Sequence, residues 1–86
     1  MPPEWAAVDP VDAAHRFLDA MGTPAAMALV GPEAAAMFLQ SPPPDEVLDL
    51  IMKRNLVFVS WRRGDVTGTW VWSFDREGRI INWTKA

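Results

Sequence analysis

The sequence contains no cysteine and a single histidine, His15. The first absence excludes disulfides, thiol nucleophiles and cysteine-ligated zinc, and leaves the redox compartment open. The second argues against a histidine-rich metal site, so no metal or cofactor is expected. No apolar run approaches the ~20 residues needed to cross a bilayer. The opening Met1-Pro2-Pro3-Glu4-Trp5 lacks the basic start and apolar stretch of a signal peptide. A cytoplasmic protein with no membrane partner is the expectation. Basic residues are nearly missing from the first fifty positions, where eight acids face Arg16 alone, whereas residues 51–86 hold seven bases against three acids; the total is −3. Acidic helix starts and basic strand rims then complement each other within one fold or across a dimer.

What is present is apolar and aromatic. Half of the 86 residues are hydrophobic, and five are tryptophan. A chain of this size forms one domain, here residues 1–86, and buries only roughly 60–65% of its unfolded surface. A second subunit would add burial, so a homodimer is expected.

The first half, residues 9–54, is punctuated for helices. Asp9-Pro10 supplies a cap and a first-turn proline, and Gly22 supplies a stop. Between them Val11, Ala14, Phe17, Leu18 and Met21 form one stripe. Thr23-Pro24 opens a short helix to residue 30, Gly31-Pro32 breaks it, and residues 33–39 add another helical turn or two. Pro42-Pro43-Pro44 is a stiff connector. Asp45 is expected to open a third substantial helix through Arg54, with Val47, Leu48, Ile51 and Met52 inward.

From residue 55 to 85 the period becomes two, which predicts a three-stranded antiparallel meander: residues 56–61, 66–74 and 79–84, joined by turns at 62–65 and 75–78. The fold class expected is α+β, with about three helices packed on that sheet. Trp70, Trp72 and Phe74 share one face of the middle strand. A bulged turn ending in Gly78 would pair Asp75 with Arg79 and put Ile80 and Asn82 on the tryptophan face, whereas a four-residue loop would put Ile81 and Trp83 there. The bulged form is preferred, because Gly78 suits its left-handed position.

These residues resemble a family. The run HRFLDAMGTPAAMALVGPEAAAMFL is similar to the paired opening helices of the nuclear-transport-factor-2-like superfamily, which includes SnoaL-like polyketide cyclases and ketosteroid isomerases. DEVLDLIMKR resembles the third helix, and GDVTGTWVWSFDREGRIINW the closing strands; the likeness spans residues 11–84. It implies a shortened α+β cone that lacks the usual strand hairpin between the second and third helices, since only Gln40-Ser41-Pro42-Pro43-Pro44 stands there. It also implies a sheet-mediated dimer. The catalytic groups do not transfer: the isomerases use an aspartate with a tyrosine, and this chain has no tyrosine.

The candidate sites follow. Phe58, Trp70, Trp72, Phe74 and Asn82, with Ser60, could line an apolar pocket for a hydrophobic small molecule. Most of this aromatic surface is expected to be core. Trp61 and Trp83, near strand ends, are the interface candidates. His15 and Asp19 are the acid–base candidates of a small SnoaL-like enzyme. Arg62 and Arg63 beside exposed tryptophans would make a stacking platform for single-stranded nucleic acid, which the net negative charge disfavours. A small-molecule-binding or protein-interaction module is the leading functional expectation.

Overall fold

A computed structural model describes residues 9–86. The chain is α+β, as the change of period at residue 55 suggests. Helix α1 (Pro10–Ala20) is followed by a 3₁₀ helix (Pro24–Leu29), helix α2 (Ala35–Leu39) and four strands, β1 (Glu46–Lys53), β2 (Leu56–Arg63), β3 (Val66–Phe74) and β4 (Ile80–Lys85). The strands form one antiparallel sheet in sequence order.

Helix α1 forms where its punctuation places it. The Asp9 carboxylate accepts the Val11 N–H at 2.9 Å, and Gly22 follows the last turn at φ 88°. Its buried residues are Ala13, Ala14 and Phe17, while Val11, Leu18 and Met21 are half-buried. The next segment tightens into a 3₁₀ helix that buries Ala26, and α2 is a single short run.

The expected helix over residues 45–54 is a strand, and the sheet therefore has four strands instead of three. The apolar positions Val47, Leu48, Ile51 and Met52 suit either period, and a short run of this kind is decided by its surroundings. Here the β2–β3 hairpin decides it. The Asp45 N–H donates to the Arg62 carbonyl at 2.8 Å, the Asp45 carboxylate accepts the Gly64 N–H at 2.7 Å, and the Arg63 guanidinium donates to the Pro42 carbonyl at 3.2 Å. These bonds hold the chain extended as it leaves the prolines. At the far end Arg54 takes a left-handed φ of 58° in a two-residue turn that sends the chain straight back into β2.

The β2–β3 turn is also tighter than expected. Arg62 and Arg63 belong to β2, and only Gly64-Asp65 turns, with Gly64 at φ 60°. That is the first central position, where a type II′ hairpin favours glycine.

One face of the sheet carries the core. Val57, Val59 and Trp61 from β2, Trp70 and Trp72 from β3, and Ile80 and Trp83 from β4 are all buried against Ala14, Phe17, Ala26, Val30 and Ala34. Phe17 meets Trp72, Trp83 and Phe38 edge-on, with ring centroids 5.2, 5.6 and 5.7 Å apart. Such pairs contribute about 0.5–1.5 kcal/mol each beyond the area they bury.

The preferred turn at residues 75–78 forms: Asp75 N–H donates to Arg79 O at 2.9 Å, Gly78 lies at φ 84°, and Ile80 points into the core. A bulge between Ser73 and Phe74 then leaves Ile81 unpaired. Past it the strand is turned over, so Trp83 faces the core opposite Trp72 while Asn82 faces outward opposite Ser73. Asn82 does not join the tryptophan face.

Candidate functional site

The residues expected to line a pocket do not converge. Trp70 and Trp72 are 1% and 0% exposed and lie stacked in the core, with centroids 5.7 Å apart. Phe74 is half-buried against the edge of Trp72. Phe58 and Ser60 point to the other face, where they pair with Val71 and Thr69. Asn82 is exposed on that same outer face and donates to the Ser73 hydroxyl at 3.1 Å. Trp61 and Trp83, expected at an interface, are 8% and 3% exposed within this chain's own core. Among the described residues no tryptophan is exposed, so Arg62 and Arg63 have no open aromatic surface beside them.

Trp61 is buried because of the residue across from it. It pairs with Gly68, and a Cβ built on that glycine would lie 2.6 Å from the indole. The ring packs against the glycine, filling the gap a side chain would occupy. The Arg63 guanidinium lies over the ring, 5.0 Å from its centroid. The indole N–H groups of Trp61, Trp72 and Trp83 are buried without a hydrogen-bond acceptor among the described residues. They belong to a cluster of tilted and edge-to-face rings, the geometry in which an N–H edge can meet a π face.

Surface clefts border this cluster. One, of about 230 Å³, is lined by Trp61, Thr67, Gly68, Thr69, Trp70 and Lys85. Another, of about 450 Å³, lies between α2 and the proline connector, lined chiefly by Met21, Phe38, Leu39, Pro42 and Pro43. His15 and Asp19 are exposed on α1 and line neither. Arg62 is on the outer face, paired with Glu46 at 3.4 Å and Asp45 at 3.9 Å. Asp75 is spent on its turn: its carboxylate accepts the N–H groups of Glu77 and Arg79 and the Arg79 guanidinium, at 2.9, 2.9 and 3.0 Å. Burial raises its pKa, but these bonds and the Arg79 charge outweigh that and hold it below the ordinary carboxylate value. Among the described residues no three acids or histidines come together as a metal site.

The largest departure from ordinary burial is β1. Val47, Leu48, Ile51 and Met52 are 37%, 51%, 53% and 47% exposed, and the adjoining Leu56 is 40% exposed. Among the described residues the strand pairs only with β2. A two-residue turn makes Lys53 and Leu56 a hydrogen-bonded pair, so alternation gives Ile51 and Asp49 the same role with Phe58 and Ser60. Leu50 and Met52 therefore turn both backbone groups to the free edge. In keeping with this, the Leu50 N–H donates to the neighbouring Asp49 carboxylate at 2.9 Å instead of to a strand. On the outer face Ile51, Phe58 and Val71 stand in one row across β1, β2 and β3. Among the described residues no helix packs on that face, because the helical core residues all gather on the other.

Comparison with known protein families, with curated proteins and with solved structures returned no match. The resemblance to the nuclear-transport-factor-2-like superfamily thus gains no support from relatives, and what can be argued about function rests on the surface just described.

Sequence reasoning missed β1 as a site because it assigned those residues to a helix. The signal that was available is Lys53-Arg54-Asn55, a polar triplet leading directly into a β-branched run without the glycine that usually marks a helix end.

Proposed function

We propose that this protein is an interaction module that joins another polypeptide strand to the β1 edge of its sheet. The observation that carries the reading is an eight-residue edge strand with four exposed aliphatic side chains and two residues whose backbone groups lack a strand partner. A long apolar edge of this kind is a template for strand addition, in which main-chain hydrogen bonds supply affinity and alternating side chains supply specificity. The filled tryptophan core speaks in the same direction, since the aromatics that would line an internal cavity already pack on one another.

A hydrophobic small molecule is the second reading, favoured by the 450 Å³ groove between α2 and the prolines, whose size is in the range of small-ligand sites. Amide chemical-shift mapping separates the two. A synthetic peptide with the sequence of residues 46–53 should shift the amides of residues 48–52 and slow their hydrogen exchange. Shifts centred on Met21, Phe38 and Leu39 on addition of an apolar dye, with β1 silent to the peptide, would overturn the strand-addition reading.

A further inference from the structure

We infer that the strand β1 accepts is β1 of a second copy of this chain, antiparallel and centred on Ile51; this rests on the edge reading above and specifies its partner. A symmetric antiparallel pair must place residues of the same face opposite each other, or every side chain lands on the wrong side. Beyond the bulge at Val47–Asp49, residues 49, 51 and 53 face outward and 50 and 52 face the core side. Only a register centred on a residue, not between two, keeps those faces matched.

Centring on Ile51 satisfies the side chains as well. Asp49 then lies opposite Lys53 of the second copy, twice by symmetry, and opposite charges directly across a strand pair attract. Leu50 lies opposite Met52, apolar against apolar. Ile51 meets itself on the two-fold axis and joins the two Ile51–Phe58–Val71 rows into one apolar stripe across six strands. The backbone agrees independently. Leu50 and Met52 are the residues whose N–H and C=O point outward, so they become the hydrogen-bonded pair of the new ladder, and Ile51 the closely spaced, non-bonded one. The Asp49 carboxylate, which holds the Leu50 N–H in the single chain, is released to Lys53 as that N–H finds a carbonyl. The other registers that keep faces matched fail on chemistry. Centring on Asp49 sets two carboxylates against each other, centring on Lys53 sets two ammonium groups together, and centring on Leu50 or Met52 leaves Asp49 or Lys53, respectively, opposite Ile51 with no charge partner. The paired segment is short, so this is a dimer that dilution dissociates.

The test uses the whole chain, which has no cysteine to interfere. In a non-bonded antiparallel pair the Cα atoms stand about 4.5 Å apart, within disulfide reach. Ile51→Cys should therefore form an intermolecular disulfide on mild oxidation. Lys53→Cys should not, because its two copies would be four positions out of register, well over 7 Å apart. Sedimentation equilibrium should show concentration-dependent dimerisation that Asp49→Lys weakens about tenfold and the double reversal Asp49→Lys with Lys53→Asp restores. A dimer that crosslinks as readily through Lys53→Cys, or that the double reversal fails to restore, overturns this pairing and leaves the edge itself as the interaction strand. A chain that stays monomeric at millimolar concentration while the strand peptide still shifts β1 overturns the second copy as partner. A β1 silent to both sinks this inference together with the reading it rests on.

Discussion

At the β4 edge of the sheet, the Gly31 N–H donates to the Ile80 carbonyl at 2.7 Å and Val30 bridges to Ile80, so the loop before α2 covers the start of the strand. At the β1 edge nothing comparable happens among the described residues: four apolar side chains are well exposed, and the Leu50 amide donates to its neighbour's carboxylate. Both strands belong to one antiparallel sheet of four, and both are short enough for a loop to cover. The difference teaches that an edge is closed by what the rest of the chain can reach, and here α1 lies over the core face of β1, β2 and β3, where Leu50 meets the core, and leaves the backbone edge of β1 open. Natural sheets normally blunt an open edge with charge, proline or a bulge. This one has a bulge at Leu48 and acids at Glu46 and Asp49, yet leaves residues 50–52 apolar.

The contrast can be pressed from both ends. Ile80→Ala should have the largest effect, because Ile80 is fully buried and anchors the covered edge. A loss of about 3 kcal/mol in urea unfolding is expected, against less than about 1 kcal/mol for Ile51→Ala at the open edge. Equal costs would mean that the two edges are not differently embedded. Gly31→Pro comes next. It removes the N–H that covers β4, at an expected cost of about 1–3 kcal/mol, and it should convert dissociable dimers into larger chains of molecules, read as higher masses in sedimentation. Unchanged association would show that the loop is not what closes that edge.

Asp75→Asn addresses how β4 is delivered to its place, with about 1 kcal/mol expected at neutral pH. The folded carboxylate titrates below its unfolded value, so its contribution is fully present above the unfolded pKa and fades as pH falls through the folded one. Wild type and variant should therefore converge in acid, below the ordinary carboxylate range, and a gap that persists there would assign the effect to shape instead of charge. Met52→Pro should perturb stability least, by under about 1 kcal/mol, because its N–H points to the free edge and its side chain is 47% exposed. It should nevertheless abolish association. A proline tolerated at one edge and damaging at the other is the comparison in its sharpest form.

Much of the fold was legible in the sequence, for reasons that are local. Asp9-Pro10 caps α1 whatever lies around it, the β-branched and aromatic runs of β2 and β3 tolerate little else, and Asp75 with Gly78 builds its turn from its own side chain and a left-handed glycine. The inward direction of Trp70 and Trp72 follows from alternation alone. The errors arise where a distant contact decides. Residues 46–53 fit a helix until Asp45 is tied to Arg62 and Gly64, seventeen and nineteen positions away. Asn82 and Trp83 exchange faces because a bulge intervenes after the turn, and nothing in Ile80-Ile81-Asn82 announces it. The candidate site inherited the first of these errors: a strand read as a buried helix cannot be seen as an open edge.

The indole rings of Trp61, Trp70, Trp72 and Trp83 lie within 5.0–5.7 Å of one another along an unbroken chain of neighbours. At such separations an excited electronic state is not the property of a single ring. Light absorbed by any of the four is handed around before it is emitted, so these four glow as one composite chromophore with depolarised emission. A quencher that touches the cleft beside Trp61 and Lys85 would thereby darken Trp72, which no solvent molecule can reach.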